Sequence, residues 1–349
     1  MVVDAIVSAA RQSWPPFVLV AGLLLIGAVA AADGLFEVAG AGVAQARLGP
    51  RGLLVALLGL VAVVTAVLNL DTAVVFLTPV LVHAARRRGL DERPFLYGAV
   101  FMANAASLLL PGSNLTNLLV LDRDPVGGGR FAVSMLPAWL AACALTAAFL
   151  VVAYPLHGGE PADDDAPSLR LGAGAAATLA AAVAVIALRD PALPVLAIGL
   201  VAAALARVRP RLDARAPALL FALAVALGTL AREWSLPSRL LASSGRWTTA
   251  AAAVAVSVGV NNLPAAVLLS AHAPPHPHAL LLGLDLGPNL AVTGSLSAVL
   301  WLQAARAVRA DASVATYSKL GALLVPLTLA AALAVTYGCS CFSAAELMQ

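Results

Sequence analysis

Apolar runs near the length of a bilayer crossing recur along the whole chain, separated by short polar turns. A run of ~20 apolar residues in an α-helix spans a hydrocarbon core. The pattern therefore predicts crossings at 15–33, 95–121, 132–154, 171–188, 193–206, 216–231, 279–305 and 319–338. Two other apolar stretches, 52–85 and 247–271, are each too long for one crossing and carry a polar cluster midway. The clusters are Asn69-Leu70-Asp71-Thr72 and Asn261-Asn262-Leu263-Pro264. Each stretch is either a pair of crossings or a re-entrant hairpin that returns to the side it left, and the polar tips between short arms favour the hairpin.

Composition narrows the class without changing the pattern. Hydrophobic residues make up 61% of the 349 and charged residues 11%, against roughly 25% charged in soluble domains. The mean hydropathy of +0.94 leaves no polar surface to face water on all sides. The fold class is an all-α polytopic membrane protein. A net charge of +3, with the basic residues in turns between apolar runs, is no nucleic-acid footprint. Cys143, Cys339 and Cys341 are too few for a disulfide scaffold and lack zinc-ligand spacing. Phe17 to Ala28 followed by Ala30-Ala31-Ala32 faintly resembles a signal peptide, but Asp4 and the long lead before Phe17 argue against cleavage.

Charge then orients the crossings. With the two hairpins returning to their own sides, 14 basic residues fall on one side and 7 on the other. The richer set holds Arg47, Arg51, Arg86, Arg87, Arg88, Arg93, Arg170, Arg207, Arg209, Arg211, Arg215, Arg306, Arg309 and Lys319. Basic loops stay in the cytoplasm, so both termini are expected outside a cytoplasmic membrane. Paired crossings would leave the flanking sides unchanged. The order crossing, hairpin, crossing, crossing appears twice and starts from opposite sides. The chain thus divides into a first repeat (1–155), a cytoplasmic linker (156–170), a spacer pair (171–206) and an inverted second repeat (207–349). Inverted repeats with interrupted helices are a common transporter plan, with the site at the repeat interface.

The residues support the repeat. A shift of 192 places Asn69 on Asn261, Ala73 on Ala265, Val75 on Val267, Leu77 on Leu269 and Thr78 on Ser270. Downstream, Gly112-Ser113-Asn114-Leu115 is similar to Gly287-Pro288-Asn289-Leu290. Gly112, Pro264, Gly287, Pro288 and Gly294 break helices inside apolar segments, which is tolerated only where protein or a wet cavity satisfies the freed backbone. Asn114, Thr116, Asn117, Asn289, Thr293 and Ser295 supply donors and acceptors there. The plain alternative for any one of them is a capped kink; four clusters in symmetric order point instead to a binding site. Ser107 and Thr146 read as packing residues.

Asp71 and Asp285 are the ionisable residues set most clearly within apolar segments, where a charge is costly and usually paired, protonated or functional. Asp71 is the first candidate for proton coupling; capping of the return helix near Ala73 and Val74 is the other reading, and both can hold. Asp285 precedes the second break, where a surface position would leave it simply solvated. His272, His276 and His278 form an external loop whose prolines make a floppy turn as good a reading as a metal site. No metal or cofactor is expected. An intramembrane enzyme would need a nucleophile–base pair or metal cluster within the spans, and the spans hold neither. A channel would also have polar breaks and is separated from a carrier by whether flux runs uphill on a proton gradient.

At these motifs the chain resembles the arsenite efflux permease (ArsB-type) branch of the ion transporter superfamily, alongside citrate, dicarboxylate and sodium/proton carriers. GLDLGPNLAVTGSLSAVLWL (Gly283 to Leu302) is similar to that branch's second broken helix, and VNNLPAAVLL (Val260 to Leu269) to its second hairpin tip. LDTAVVFLTPV (Leu70 to Val80) and SNLTNLLV (Ser113 to Val120) resemble the first-half counterparts. The resemblance runs in order over 15–340. It implies two re-entrant hairpins and two broken helices around a central site, and proton-coupled export of As(III) or Sb(III). It also implies a homodimer, with a cytoplasmic ATPase subunit as partner in some members. Departures are a shorter chain, Asn289 where the branch tends to have lysine, and Leu70 where it tends to have asparagine. On either reading the tips (Asn69, Asp71, Thr72; Asn261, Asn262) and breaks (Ser113, Asn114, Thr116, Asn117; Asp285, Asn289, Thr293, Ser295) line the site. The runner-up substrate is an organic or inorganic anion held at half-helix N-termini.

Overall fold

The computed structural model describes residues 2–121, 126–158, 172–188, 190–208, 215–234 and 236–338. Most of the 156–170 linker, Arg123, Arg170, Arg189, Arg209, Arg211, Cys339 and Cys341 lie outside the described residues. Within them the chain is helical, without a strand.

The first half runs α1 (Val2–Ala32), α2 (Leu35–Gln45), α3 (Pro50–Val67), α4 (Leu70–Arg87), α5 (Arg93–Ala106), α6 (Leu115–Leu121) and α7 (Gly128–Ala153). Then come α8 (Ala173–Ala187) and α9 (Ala192–Leu205). The second half repeats the order with α10 (Arg215–Glu233), α11 (Leu236–Ala242), α12 (Arg246–Val260), α13 (Asn262–Leu269), α14 (Pro277–Leu286), α15 (Leu296–Ala307) and α16 (Val314–Gly338). Most apolar runs became helices within a few residues of the expected bounds, but α1 begins at Val2 rather than at 15, and α16 at Val314 rather than at 319. Apolar pattern did not reveal α2 and α11: both are short, and they sit at equivalent places, between the first long helix of a half and its hairpin.

Four helices among the described residues are long and apolar enough to cross a membrane: Ile6–Ala32 within α1, Pro50–Val67, Gly128–Ala153 and Val314–Gly338. The α5–α6 and α14–α15 pairs each add up to about the ~20 helical residues of one crossing, divided by a break. The hairpins differ. At a rise of ~1.5 Å per residue, the 8-residue α13 reaches about 12 Å and cannot cross a ~30 Å core. Both α3 and α4 have 18 residues, nearly spanning length.

Packing pairs corresponding elements of the two halves. The return helix α4 packs on α15, and its counterpart α13 on α6, so each hairpin rests on the broken helix of the other half. The pairs α1–α10 and α7–α16 pack on each other. Pro137 in α7 and Pro326 in α16 lie 189 residues apart, close to the shift that relates the hairpin tips.

The two hairpins enter from opposite ends. At one end Arg88 Nη2 donates to Leu48 O (2.8 Å), and Arg86 donates to Val308 O (2.8 Å) and Arg309 O (3.2 Å). Tyr97 OH meets Ser313 there. This gathers the roots of α3 and α4, the start of α5 and the turn before α16. Arg246, at the root of α12, lies 4.9 Å over the Tyr337 ring, at the far end of the 25-residue α16. The halves are inverted repeats, and the loops at the first end carry Arg47, Arg51, Arg86 to Arg88, Arg93, Arg306 and Arg309.

Candidate functional site

Two helix breaks meet at the centre. The first runs from Ser107 to Asn114 through a 3-10 turn at Pro111–Ser113; the second covers Gly287–Ser295 through turns at Gly287–Leu290 and Val292–Gly294. Proline and glycine stop each helix, and small residues let neighbours approach the freed backbone. A Cβ on Gly321 of α16 would overlap the Asn289 carbonyl oxygen, and one on Gly287 would lie 2.7 Å from Ser257 Oγ. Tyr317 OH donates to Pro288 O (2.9 Å), so α16 both supports and hydrogen-bonds the second break.

The polar side chains of the two breaks form one network across the halves. Asp285 is fully buried. Its Oδ1 accepts from Thr116 Oγ1 (2.7 Å) and Asn114 Nδ2 (3.0 Å). Asn104 Nδ2 donates to Asn289 Oδ1 (2.7 Å), and Asn289 Nδ2 donates to Phe101 O (3.4 Å). Asn117 Nδ2 donates to Ser107 O (2.8 Å) and Leu110 O (3.3 Å). Ser107 Oγ donates to Asn104 O (2.9 Å) and accepts from Asn114 Nδ2 (3.4 Å). All seven side chains are buried. The hydrogen-bond partners of Asp285 are neutral.

The hairpin tips reach these breaks. Ser113 Oγ donates to Ala66 O (3.2 Å), tying the first break to the end of α3. Asn261 Nδ2 donates to Thr293 O (3.2 Å), and Thr293 Oγ1 donates to Val258 O (3.2 Å), tying the second break to the end of α12. Both tips therefore stand at the level of helix breaks.

Placement differs from the sequence expectations at several residues. The break in the second hairpin falls at Asn261, whose φ is 78°, rather than at Pro264. Pro264 lies in the first turn of α13, where a missing N–H breaks no helical bond. The first return helix is capped by Asn69 and not Asp71: Asn69 Oδ1 accepts from Thr72 N (2.6 Å). Asn261 Oδ1 accepts from Leu263 N (3.3 Å), so the two residues matched by the 192-residue shift do the same work. Asp71, half-buried in the first turn of α4, has no hydrogen-bond or ion-pair partner among the described residues. Asp285 is enclosed rather than solvated, because α12 packs on α14 through Ala250 and Ala253, close enough to overlap a Cβ at Gly283.

The match of Gly112–Leu115 to Gly287–Leu290 is not an equivalence of position. Asn114 directly precedes α6, while Asn289 lies mid-break; Ser295, whose Oγ accepts from Ala298 N (3.2 Å), is the residue that precedes and caps α15. Thr72 packs against Gly27 of α1, and Asn262 is buried beside its cap. Thr146 donates to Ala142 O within its own helix, as a packing residue does. Sequence reasoning missed Asn104 altogether and set Ser107 aside. The signal for Asn104 was a single amide in an otherwise apolar segment. Two surface cavities lie elsewhere: about 360 Å³ beside Arg239, His272 and Pro274, and about 490 Å³ beside Ile6 and Phe221.

Inverted hairpins and broken helices around a shared, buried polar centre, with four helices among the described residues long and apolar enough to cross a membrane, define a multi-pass helical membrane protein. Residues 1–336 match the citrate transporter family (CitMHS), and the chain belongs to it. Among curated proteins it is 28% identical over 171 residues to the silicon efflux transporter LSI3 of Oryza sativa subsp. japonica, covering 47% of this chain and 35% of that one. It is also 28% identical over 128 residues to an uncharacterized transporter of Mycobacterium tuberculosis, covering 36% of this chain and 30% of the relative. The chain thus spans about a third of the length of these curated relatives. Among solved structures it is similar to the YdaH transporter of Alcanivorax borkumensis, with a TM-score of 0.61 at 16% identity over 95% of this chain and 86% of that one. At that identity the likeness speaks for the fold.

Proposed function

We propose that the protein is a secondary active transporter that exports a small, uncharged, hydroxylated solute, arsenous acid or its antimony counterpart, across the cytoplasmic membrane in exchange for protons. The observation that carries this reading is the Asp285 centre. Its amides and hydroxyls come from both halves, and every hydrogen-bond partner of the carboxyl is neutral. Such a set matches O–H groups that donate and accept, whereas a carboxylate beside a bound polyanion repels it. The name of the silicon efflux relative is in keeping with a hydroxylated solute.

In this reading the hairpins are re-entrant and the arginine-rich end faces the cytoplasm, with both termini outside. The network lies between the halves, so rocking one against the other would expose it to each side in turn. Asp71, without a partner in the first turn of α4, is the proton carrier. The transporter works as a homodimer, and a cytoplasmic ATPase would meet it at the arginine loops.

A second reading, favoured by the family match, is carriage of citrate or another anion at the N-termini of α6 and α15. Uptake into everted vesicles under an imposed proton gradient separates the two. Uphill As(III) uptake that excess citrate does not inhibit supports the neutral-solute reading. Citrate uptake without As(III) uptake supports the anion carrier.

A further inference from the structure

The root of the second hairpin holds a cavity that the polar centre does not use. It measures about 360 Å³, and Arg239 and His272 line it together with Leu241, Leu269, Pro274 and Pro275. Sites for small molecules occupy roughly 300–1,000 Å³. Arg239 and Leu241 belong to α11, Leu269 ends α13, and His272 to Pro275 lie in the loop leading to α14. The short α11 packs on α13. The cavity therefore lies where the chain enters and leaves the hairpin, at the end away from the arginine-rich loops.

Its lining sets the chemistry of the occupant. A guanidinium presents a planar fork of donors that fits a phosphate, and an imidazole adds one N–H. No carboxylate lines the cavity among the described residues. The two polar side chains thus suit one negative charge spread over several oxygens, and the remaining wall is apolar. A metal ion does not fit, because His272 is the one metal-ligating side chain among the described lining residues.

The surroundings place this lining at a membrane boundary. Trp234 and Trp247, on either side of α11, are both exposed. Exposed tryptophans gather where membrane meets water. On α11 itself Leu236, Arg239 and Leu240 fall on one face by their spacing of three and four, and all three are exposed. Pro237 and Leu241, on another face, are buried against the protein. An exposed leucine pair beside an arginine offers apolar surface and a charged head at the same depth.

We infer that this cavity binds the phosphate headgroup of an anionic phospholipid, with Arg239 and His272 on the phosphate and the acyl chains along Leu236 and Leu240. A zwitterionic headgroup would bring its own cation beside the guanidinium, which like-charge repulsion disfavours. In the orientation given above the lipid belongs to the outer leaflet. It would join α11 to the end of α13 and brace the root of the hairpin. The inference rests on the membrane setting of the chain and not on the solute carried.

The test uses the purified full chain in phosphatidylcholine nanodiscs with rising fractions of phosphatidylglycerol, at constant ionic strength. The site predicts a saturable rise in Tm with phosphatidylglycerol. Arg239→Gln raises the fraction needed for half the effect about tenfold, the weight of one charge-assisted hydrogen bond. Arg239→Lys, which keeps the charge without the fork, recovers part of the response, and His272→Ala weakens it. Both residues are exposed, so the variants keep the fold, which their Tm in pure phosphatidylcholine verifies. Arg130→Gln, an exposed arginine in the first turn of α7 and outside the cavity, leaves the response unchanged. A wild-type response in Arg239→Gln overturns the site. An equal loss in Arg130→Gln also overturns it, by assigning the effect to surface charge in general. Inorganic phosphate that raises Tm in pure phosphatidylcholine as far as phosphatidylglycerol does would make a soluble anion the occupant and overturn the lipid.

Discussion

Thr116 Oγ1 donates a 2.7 Å hydrogen bond to Asp285 Oδ1, joining residues 169 apart in sequence and on opposite halves of the molecule. The bond gives the buried carboxyl one of its two donors; Asn114 gives the other. Thr116→Val keeps the shape and removes the donor, so the oxygen loses about 1–3 kcal/mol of compensation. The expected result is folded protein with a lower Tm and a larger loss of transport than of stability. Thr116→Ser, which restores the hydroxyl, is expected to recover most of the transport. Loss of Tm without loss of transport would make the bond structural only.

The Asn104–Asn289 amide pair is another tie between the halves. Each residue has a side-chain nitrogen that only the correct partner orientation satisfies. A double-mutant cycle with Asn104→Ala and Asn289→Ala, read by thermal unfolding in nanodiscs, is expected to give a coupling of about 0.5–3 kcal/mol. Additive losses would show that the pair does not act as a unit.

Gly321 touches the second break with backbone alone. Gly321→Ala forces its methyl into the Asn289 carbonyl, and overpacking of this kind costs about 1–3 kcal/mol. The break should shift, and transport should fall with stability. Gly59, in the middle of α3 with open space about it, is the control. Gly59→Ala is expected to leave transport unchanged and to raise stability by about 1 kcal/mol, the helix-propensity difference.

At the first hairpin tip, capping and coupling fall on neighbouring residues. Asn69→Ala removes the cap of α4 and is expected to cost about 1 kcal/mol, seen as a lower Tm with coupling to the proton gradient intact. Asp71→Asn is expected to do the reverse, leaving Tm nearly unchanged and abolishing acceleration by the gradient. A large Tm loss in Asp71→Asn would return that residue to a structural role.

Much of this architecture could be read from the chain because membrane crossing imposes long apolar runs, and most of those runs became helices near their expected bounds; α1 starts well ahead of its apolar run, at Val2. The interruptions were equally legible, since Asn69, Asn261, Gly112 and Pro288 are out of place in a continuous apolar helix. Asn69 and Asn261 carried the repeat truly: both cap return helices. The similarity of Gly112–Leu115 to Gly287–Leu290 did not, because the second break is longer and closes on Ser295. The apolar segment around Asp285 was legible, but whether the carboxyl lay enclosed or at the surface was not, because that is set by how closely α12 packs on α14. Asn104 was hidden for the same reason. A lone amide in a helix shows its meaning only once the other half brings Asn289 within 2.7 Å.

The central claim is that the network between the two breaks is where solute is carried. Its most direct test is As(III) accumulation in everted vesicles under an imposed proton gradient, comparing wild type with Asp285→Asn at matched, verified levels of folded protein. The account predicts uphill uptake by wild type and a loss of about tenfold or more in the variant, the scale of losing a hydrogen-bonded charged group worth about 1.5–3 kcal/mol. Uptake by Asp285→Asn at the wild-type rate would place the transport path elsewhere in the fold.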